Sequence, residues 1–204
     1  MNGTTSHDAA TYDVIVIGGA LAGAATATLL LRQNPGLRLL IVDKSPTLTR
    51  RVGEATTEIG AYFIGRVLDL TQYLNESHLV KQGMRFWFKN DDVKSLGDAS
   101  ELGGRYQVRL PAYQVDRALL DEEVLRRAGL AGANILRPAS VTKVELTPGG
   151  EQSITLQHGE VTQTVRARWV VMRRASRRCS RAKTAGGGRT RSIRRRQRGH
   201  AGKA

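Results

Sequence analysis

Apolar positions near the start of the chain form two short continuous runs, with a glycine-rich turn and a helix-forming segment between them. Residues 12–17 read YDVIVI and residues 37–42 read LRLLIV. Continuous apolar runs of this length are typical of parallel strands that are buried on both faces. Residues 24–32 are rich in Ala and Leu without Pro, and Asn-Pro-Gly at 34–36 ends the helix that they predict. The pattern therefore predicts a strand–turn–helix–strand unit, and Asp43 directly follows its second strand.

The apolar pattern after this unit predicts three more helices and several strands. The first helix is opened by residues 53–58, with a Thr cap and Glu58 in its first turn, and is expected to run to Leu68. The others are expected near 71–79 and after residue 117, where four apolar side chains are expected to face inward: Leu119, Leu120, Val124 and Leu125. Enrichment in aromatic and β-branched residues predicts strands at 84–88, 105–113, 134–137, 141–146, 153–157, 161–167 and 169–171. The strand at 134–137 is expected to be buried, and the polar residues 91–104 predict a loop.

The turn after the first strand reads Gly18-Gly19-Ala20-Leu21-Ala22-Gly23 and has the form of a dinucleotide-binding fingerprint. In this fingerprint the first glycine permits a tight bend and the last lets the helix pack against the strand, while the diphosphate lies at the helix N-terminus. Ala20 stands where the fingerprint has its middle glycine, and Asp43 is placed to accept hydrogen bonds from ribose hydroxyls. A glycine turn in an unrelated α/β protein is the alternative, but the complete order of elements favours a dinucleotide. The residues of this unit that are predicted to contact the dinucleotide are Gly18, Ala20, Leu21, Ala22, Gly23, Asp43 and Lys44.

Composition and charge narrow the function classes. The 204 residues contain one cysteine, Cys179, which excludes an internal disulfide framework and predicts a cytoplasmic setting. No signal peptide is expected in the short polar segment before the first strand, and no apolar run approaches the ~20 residues of a membrane span. Residues 172–204 hold 13 of the 32 Lys and Arg residues and none of the 18 acidic residues, so residues 1–171 keep 19 basic against 18 acidic side chains. The net charge of +14 therefore arises from the tail.

Four segments together resemble the N-terminal half of FAD-dependent oxidoreductases of the aromatic-hydroxylase superfamily, within it the flavin-dependent halogenase-like branch. They are the glycine turn, Val52-Gly53-Glu54-Ala55-Thr56, residues 79–86 (LVKQGMRF) and Tyr113-Gln114-Val115-Asp116-Arg117. The resemblance covers about residues 1–171. It implies a Rossmann-like FAD/NAD(P)-binding βαβ fold with an inserted antiparallel β region, and FAD as the cofactor.

The resemblance also implies roles for individual residues around the flavin. Gly53, Glu54 and Ala55 would belong to a strap that lines the isoalloxazine ring, and Arg117 would approach the FAD phosphates or ribityl chain. Val141 would place backbone groups near the adenine. From the residues alone, Arg117 is equally well explained as an exposed charge at a helix start, and Glu54 as an acid favoured by the helix dipole.

Lys81 resembles the lysine of flavin-dependent halogenases that receives hypochlorous acid formed at the flavin and presents chlorine to the substrate. A partly buried lysine can be shifted towards its neutral amine by desolvation. The alternative is a solvated lysine before a glycine turn, and hydroxylation, halogenation and reduction all stay open. The resemblance further implies a small-molecule, aromatic substrate and a flavin reductase as partners. His78, in contrast, is interpreted as a helix-end residue that nothing pairs with.

The family pattern ends after Val171. The related flavoproteins continue with Asp-Ala-Ser-Gly, a segment that holds the flavin diphosphate and ribityl region, whereas this chain reads Met172-Arg173-Arg174-Ala175. If one G is restored after a GTG codon for Val171, synonymous codons for the following residues can read Asp-Ala-Ser-Gly in the expected place. We therefore predict that 1–171 is an incomplete FAD-binding domain and 172–204 a disordered basic tail produced by a frameshift. The alternative is a nucleic-acid-binding protein that uses the arginine-rich tail.

Overall fold

The computed structural model describes residues 10–103, 110–172 and 183–184. The strands are β1 (Thr11–Ile17), β2 (Leu39–Val42), β3 (Leu79–Lys81), β4 (Arg85–Phe88), β5 (Ser100–Gly103), β6 (Ala112–Gln114), β7 (Asn134–Leu136), β8 (Ser140–Leu146), β9 (Gln152–His158), β10 (Val161–Met172) and β11 (Lys183–Thr184). The helices are α1 (Leu21–Gln33), α2 (Glu58–Tyr62), α3 (Thr71–Ser77) and α4 (Arg117–Leu130). A π-helical turn (Phe63–Val67) extends α2, and a 3-10 turn (Leu96–Asp98) precedes β5.

Seven of the eleven described strands form one sheet, in the order β11-β8-β9-β10-β1-β2-β7, and the other four form the pairs β3-β6 and β4-β5. β1 is parallel to both β2 and β10, and β2 is parallel to β7. β9 pairs antiparallel with both β8 and β10. The α/β fold with a parallel βαβ unit and an added antiparallel region is therefore confirmed.

β10 joins the parallel and antiparallel parts of the sheet. The sequence predicted separate strands at 161–167 and 169–171, but the structure has one strand of 12 residues. Its first half pairs antiparallel with β9, and its second half runs parallel to β1, where Val170 lies opposite Ile15. Arg168 interrupts the apolar pattern without interrupting the backbone ladder, because a strand needs main-chain partners more than it needs alternating side chains.

Apolar side chains of β1 and β2 supply the core on both faces of the sheet. Val14 and Val16 face a cluster built with α1 and α4, whereas Ile15 faces the opposite cluster, formed with β8, β9 and β10. All four residues of β2 are buried. This two-sided burial explains the continuous apolar runs that predicted these strands.

Several details of the sequence prediction are wrong. Leu119 is 54% exposed, because the buried stripe of α4 runs through Leu120, Val124 and Ala128 instead. The strand at 134–137 is not buried: β7 pairs only with β2, at the edge of the sheet. The predicted loop at 91–104 contains β5, which pairs antiparallel with β4.

Other predictions fall partly outside the described residues. Residues 104–109 of the strand predicted at 105–113 are not described, and β6 begins at Ala112. In the predicted tail, Met172 ends β10, and Lys183–Thr184 form β11 beside β8. The rest of 172–204 lies outside the described residues, so its disorder stays a prediction. Within the described part of the chain, no helix has the length and apolar character needed to cross a membrane.

Candidate functional site

The turn between β1 and α1 is closed so tightly that it admits no side chain at Gly23. A Cβ added there would lie 1.9 Å from the carbonyl oxygen of Gly18. Gly18 itself has φ +105°, in the left-handed region, and its N–H donates to the Val42 carbonyl over 2.8 Å. The roles predicted for the first and last glycines of the fingerprint are therefore visible in the backbone geometry.

The start of α1 presents unpaired backbone donors. Ala20 is the N-cap, with φ −68° and ψ 177°, and it provides no side-chain cap. The first intrahelical bond runs from the N–H of Ala24 to the Ala20 carbonyl. Among the described residues, the N–H groups of Leu21, Ala22 and Gly23 have no acceptor, and Ala22 is exposed. These donors and the positive end of the helix dipole suit an anion such as a diphosphate.

Asp43 is buried directly behind this turn. Its Oδ2 accepts a 2.7 Å hydrogen bond from the N–H of Gly19, and its Oδ1 accepts one of 2.8 Å from the N–H of Ser45. The carboxylate therefore holds the glycine turn to the end of β2, a structural role that the sequence did not suggest. Each oxygen retains one further lone pair for another donor, so the predicted ribose contact stays open.

The predicted strap is bridged to β6 at Ala55 and Gln114. The N–H of Val115 donates to the Glu54 carbonyl over 2.7 Å, and the N–H of Thr56 donates to the Tyr113 carbonyl over 2.9 Å. β3 pairs with the other edge of β6. Three of the four segments that carried the family resemblance thus meet at β6, although they lie far apart in the chain.

Arg117 lies at the start of α4 and fixes the strap to that helix. Its Nε and Nη2 each donate a 2.9 Å hydrogen bond to the carboxylate of Asp121, whose side chain is completely buried. Its Nη1 donates to the Val52 carbonyl, and its backbone N–H donates to Oε1 of Glu54. Gly53 has φ +96°, and a Cβ there would lie 3.1 Å from Nη1 of Arg117. Arg117 is therefore part of a buried network and not an exposed helix charge.

α4 also contacts the glycine turn. A Cβ added to Gly19 would lie 3.3 Å from both Leu125 methyl groups. Since Arg117 and Leu125 are on the same helix, α4 connects the strap at its start to the glycine turn further along. Gly18, Gly23, Asp43, Gly53, Glu54 and Arg117 therefore belong to one connected region.

The remaining predicted site residues are placed but form no side-chain hydrogen bond or ion pair with other described residues. Lys44 is exposed after Asp43, and Ala55 is exposed in the strap opposite Gln114. Val141 lies in β8 opposite Leu156, and its half-buried side chain packs against the cluster shared with β9 and β10. Lys81 is half-buried in β3 opposite Ala112.

Several residues around α4 were missed by the sequence analysis. Asp121 is one of them, although its i,i+4 spacing from Arg117 is a readable signal. Arg50 donates to Asp116 and lowers the pKa of that carboxyl, which also caps α4 through the N–H groups of Ala118 and Leu119. The statement that nothing pairs with His78 is wrong, because its Nδ1 accepts a hydrogen bond from the N–H of Asp116.

Glu122 ties the loop after β2 to the end of β7. It accepts from the N–H of Leu48 over 2.6 Å and from Nη1 of Arg137 over 2.8 Å. Its hydrogen bond with Arg137 lowers the pKa of Glu122, and burial partly opposes that shift. This pair therefore supports the loop that begins at Asp43.

Comparison with known proteins agrees with this geometry. The sequence model of the family described as lycopene cyclase protein matches residues 13–193. The flavin-dependent halogenase chlA of Dictyostelium discoideum is 30% identical over 133 residues, which are 60% of this chain and 22% of that protein. These similarities confirm the resemblance that the sequence motifs indicated.

Solved structures confirm the fold. The myxobacterial chondrochloren halogenase CndH, a variant of FAD-dependent halogenases, aligns with a TM-score of 0.69 at 24% identity, over 80% of this chain and 37% of that one. The halogenase PltM, in complex with phloroglucinol and FAD, aligns with a TM-score of 0.62 at 20% identity, over 79% of this chain and 34% of that one. The chain spans about a quarter of the length of the curated relatives it matches. None of these similarities supports the nucleic-acid alternative.

Proposed function

The chain belongs to the lycopene cyclase protein family, and on this premise we propose that it is the N-terminal FAD-binding portion of a flavin-dependent oxidoreductase of the monooxygenase or halogenase type. One observation carries the proposal: the strap at 52–56 is bridged to β6, which pairs with β3, and α4 links the strap to the glycine turn. A glycine turn alone is shared by many dinucleotide-binding proteins. Its connection to the strap is the more specific feature.

The residues present fit the diphosphate and ribose of FAD. The turn at Gly18 and Gly23 brings backbone close to the ligand, and the N–H groups of Leu21 and Ala22 are free to donate to phosphate oxygens. Asp43 would accept from the ribose, with Lys44 beside it, and backbone groups at Val141 would face the adenine. Gly53, Glu54 and Ala55 would line the isoalloxazine ring. Arg117 would act mainly by fixing that strap, because Asp121 already engages two of its guanidinium nitrogens.

Bound flavin would supply the redox chemistry that activates oxygen. This chain's residues would bind the flavin, orient it and exclude water from it. Lys81 lies in β3, which pairs with the strand to which the strap is bridged, and no described residue forms an ion pair with its amine. Its amine is therefore free to hold an electrophile by a hydrogen bond and direct it to a small aromatic substrate. The halogenase branch, a flavin reductase as partner and a cytoplasmic location are part of this proposal.

The proposal includes the frameshift after Val171. In the chain as it stands, the family segment that would follow β10 is replaced, so we expect weak or no stable FAD binding. Genomic DNA with GTGATG at codons 171–172, and with the family motif open in the adjacent frame, would support this explanation. DNA in which neither adjacent frame encodes the motif would contradict it.

Flavin absorbance tests the proposed cofactor. The frame-restored protein, expressed to its natural end, should purify yellow with bound FAD. A well-folded, colourless restored protein would contradict the FAD proposal.

Substitution of Lys81 tests the halogenase branch in the same restored protein. Lys81→Ala should abolish halogenated product while FAD binding and oxidation of reduced flavin persist. Lys89→Ala, which removes an exposed lysine just after β4, is the matched control and should leave halogenation unchanged. If the protein is instead a hydroxylase or reductase, Lys81→Ala should leave turnover within a few fold, and no halogenated product should form with chloride or bromide present.

A further inference from the structure

His78 is a buried imidazole that the proposed chemistry does not use. It is the C-cap of α3, only 9% exposed, and its ring meets Tyr73 edge-on with centroids 5.3 Å apart. Its Nδ1 accepts a 3.3 Å hydrogen bond from the backbone N–H of Asp116. Its Nε2 is buried and has no partner among the described residues.

This arrangement requires a neutral ring. A nitrogen that accepts a hydrogen bond carries no proton, so the single proton of the neutral ring is on Nε2. A protonated ring would direct an N–H from Nδ1 at the N–H of Asp116, and two donors cannot pair. It would also bury a positive charge whose Nε2 has no acceptor.

The backbone N–H that donates to His78 belongs to the residue at the start of α4. Asp116 is the N-cap of that helix and directly precedes Arg117, which holds the strap at Val52 and Glu54. β3, with Lys81, begins one residue after His78. His78 therefore joins the start of β3 to the start of α4, between the two groups that the proposed function places around the flavin.

We propose that His78 is a positioning residue that fixes the start of α4, and with it Arg117 and the strap, only while its imidazole is neutral. This inference rests on the proposed function for its consequence: acidification loosens the strap side of the FAD site before the fold unfolds. The glycine turn on the other side is unaffected, since it is held by Asp43 and Val42.

Burial of His78 outweighs the charge of its neighbour and favours the neutral ring. Burial lowers the pKa of His78 below its ordinary value of 6.5, and the Asp116 carboxylate partly opposes that shift. Asp116 is itself paired with Arg50, in the loop before the strap, which weakens its attraction for an imidazolium. Two further charged groups, Glu123 and Arg127 of α4, lie near Tyr73, whose ring contacts that of His78. The hydrogen bond is therefore intact above about pH 6.5 and is lost as the pH falls towards the lowered pKa.

Amide-resolved hydrogen exchange of the whole chain tests the proposal without FAD. Protection of the Asp116 amide is compared at about pH 7.5 and at the lowest pH at which the fold persists, in the wild type and three variants. His78→Asn keeps an acceptor near the position of Nδ1 but cannot be protonated. His78→Leu removes the acceptor. His158→Asn, at an exposed histidine on β9, is the matched control.

The proposal predicts that acidification lowers protection of the Asp116 amide roughly fivefold to tenfold in the wild type and in His158→Asn, as expected for one hydrogen bond. His78→Asn should show no such fall, and His78→Leu should be poorly protected at both pH values. An equal fall in His78→Asn, or no fall in the wild type, would overturn the proposal. If His78→Leu does not fold, the wild type and His78→Asn still decide. Because no flavin is needed, failure here is distinguishable from failure of the restored protein to bind FAD.

Discussion

Replacing Gly23 with alanine should break the turn on which the cofactor site depends. The added Cβ would lie 1.9 Å from the Gly18 carbonyl oxygen, 3.1 Å from the Gly18 carbonyl carbon and 3.2 Å from Cγ1 of Val16. Real contacts of this kind do not fall below 3.0 Å, so helix and strand must separate by about 1 Å. The clashing atom is backbone, and no side-chain rotation relieves it. Overpacking typically costs about 1–3 kcal/mol, and we expect the upper end, about 3 kcal/mol, because the backbone clash also strains the 2.8 Å hydrogen bond from Gly18 to Val42.

Urea unfolding of the chain, followed by circular dichroism, measures this cost. Gly36→Ala is the matched control, because it lies in the loop after α1 and an added Cβ there meets nothing within 4 Å. That control should change the free energy of unfolding by less than about 0.5 kcal/mol. A Gly23→Ala protein as stable as Gly36→Ala would refute the assignment of this turn as a closed glycine fingerprint.

Two further substitutions test the network on α4. Arg117→Ala leaves the buried Asp121 with only Arg51, 3.8 Å away, and should lower the free energy of unfolding in urea by about 3 kcal/mol. The control Arg85→Ala removes a surface ion pair with Glu101 and should lower it by less than about 1 kcal/mol. Equal losses in the two variants would contradict the buried pair. Arg126 and then Arg127 lower the pKa of Glu123 from 4.5 to about 2, so its stabilising contribution is present above pH 4.5 and is lost as the pH falls towards 2. The stability gap between the wild type and Glu123→Gln should therefore narrow below pH 4.5, and a constant gap would contradict this pairing.

Local patterns predicted the parts of the fold that depend on local rules. The βαβ unit and the βα turn follow from two doubly buried strands and from glycines that the backbone requires at Gly18 and Gly23. The hairpin of β8 and β9 was also predicted, because Pro148-Gly149-Gly150 separates two alternating runs. In each case the signal and the structure it predicts lie within about 30 residues of each other in the chain.

The features that the sequence did not predict depend on contacts with other elements of the fold. β5 reads as a polar loop and is a strand because β4 offers it an edge. Asp121 reads as an exposed helix acid, and its burial follows from the packing of α4 against the strap. His78 has no sequence signal for its partner, since the N–H of Asp116 lies 38 residues further along.

The central proposal is that this chain is the N-terminal FAD-binding portion of a flavin-dependent enzyme. Its most direct test is FAD titration of the frame-restored protein, followed by quenching of flavin fluorescence, with the native turn, with Gly23→Ala and with Gly36→Ala. We predict stoichiometric binding to the native and Gly36→Ala proteins, and binding by Gly23→Ala that is weakened by more than about a hundredfold, the equivalent of about 3 kcal/mol. A folded native protein that does not bind FAD, or a Gly23→Ala protein that binds it equally well, would contradict the account.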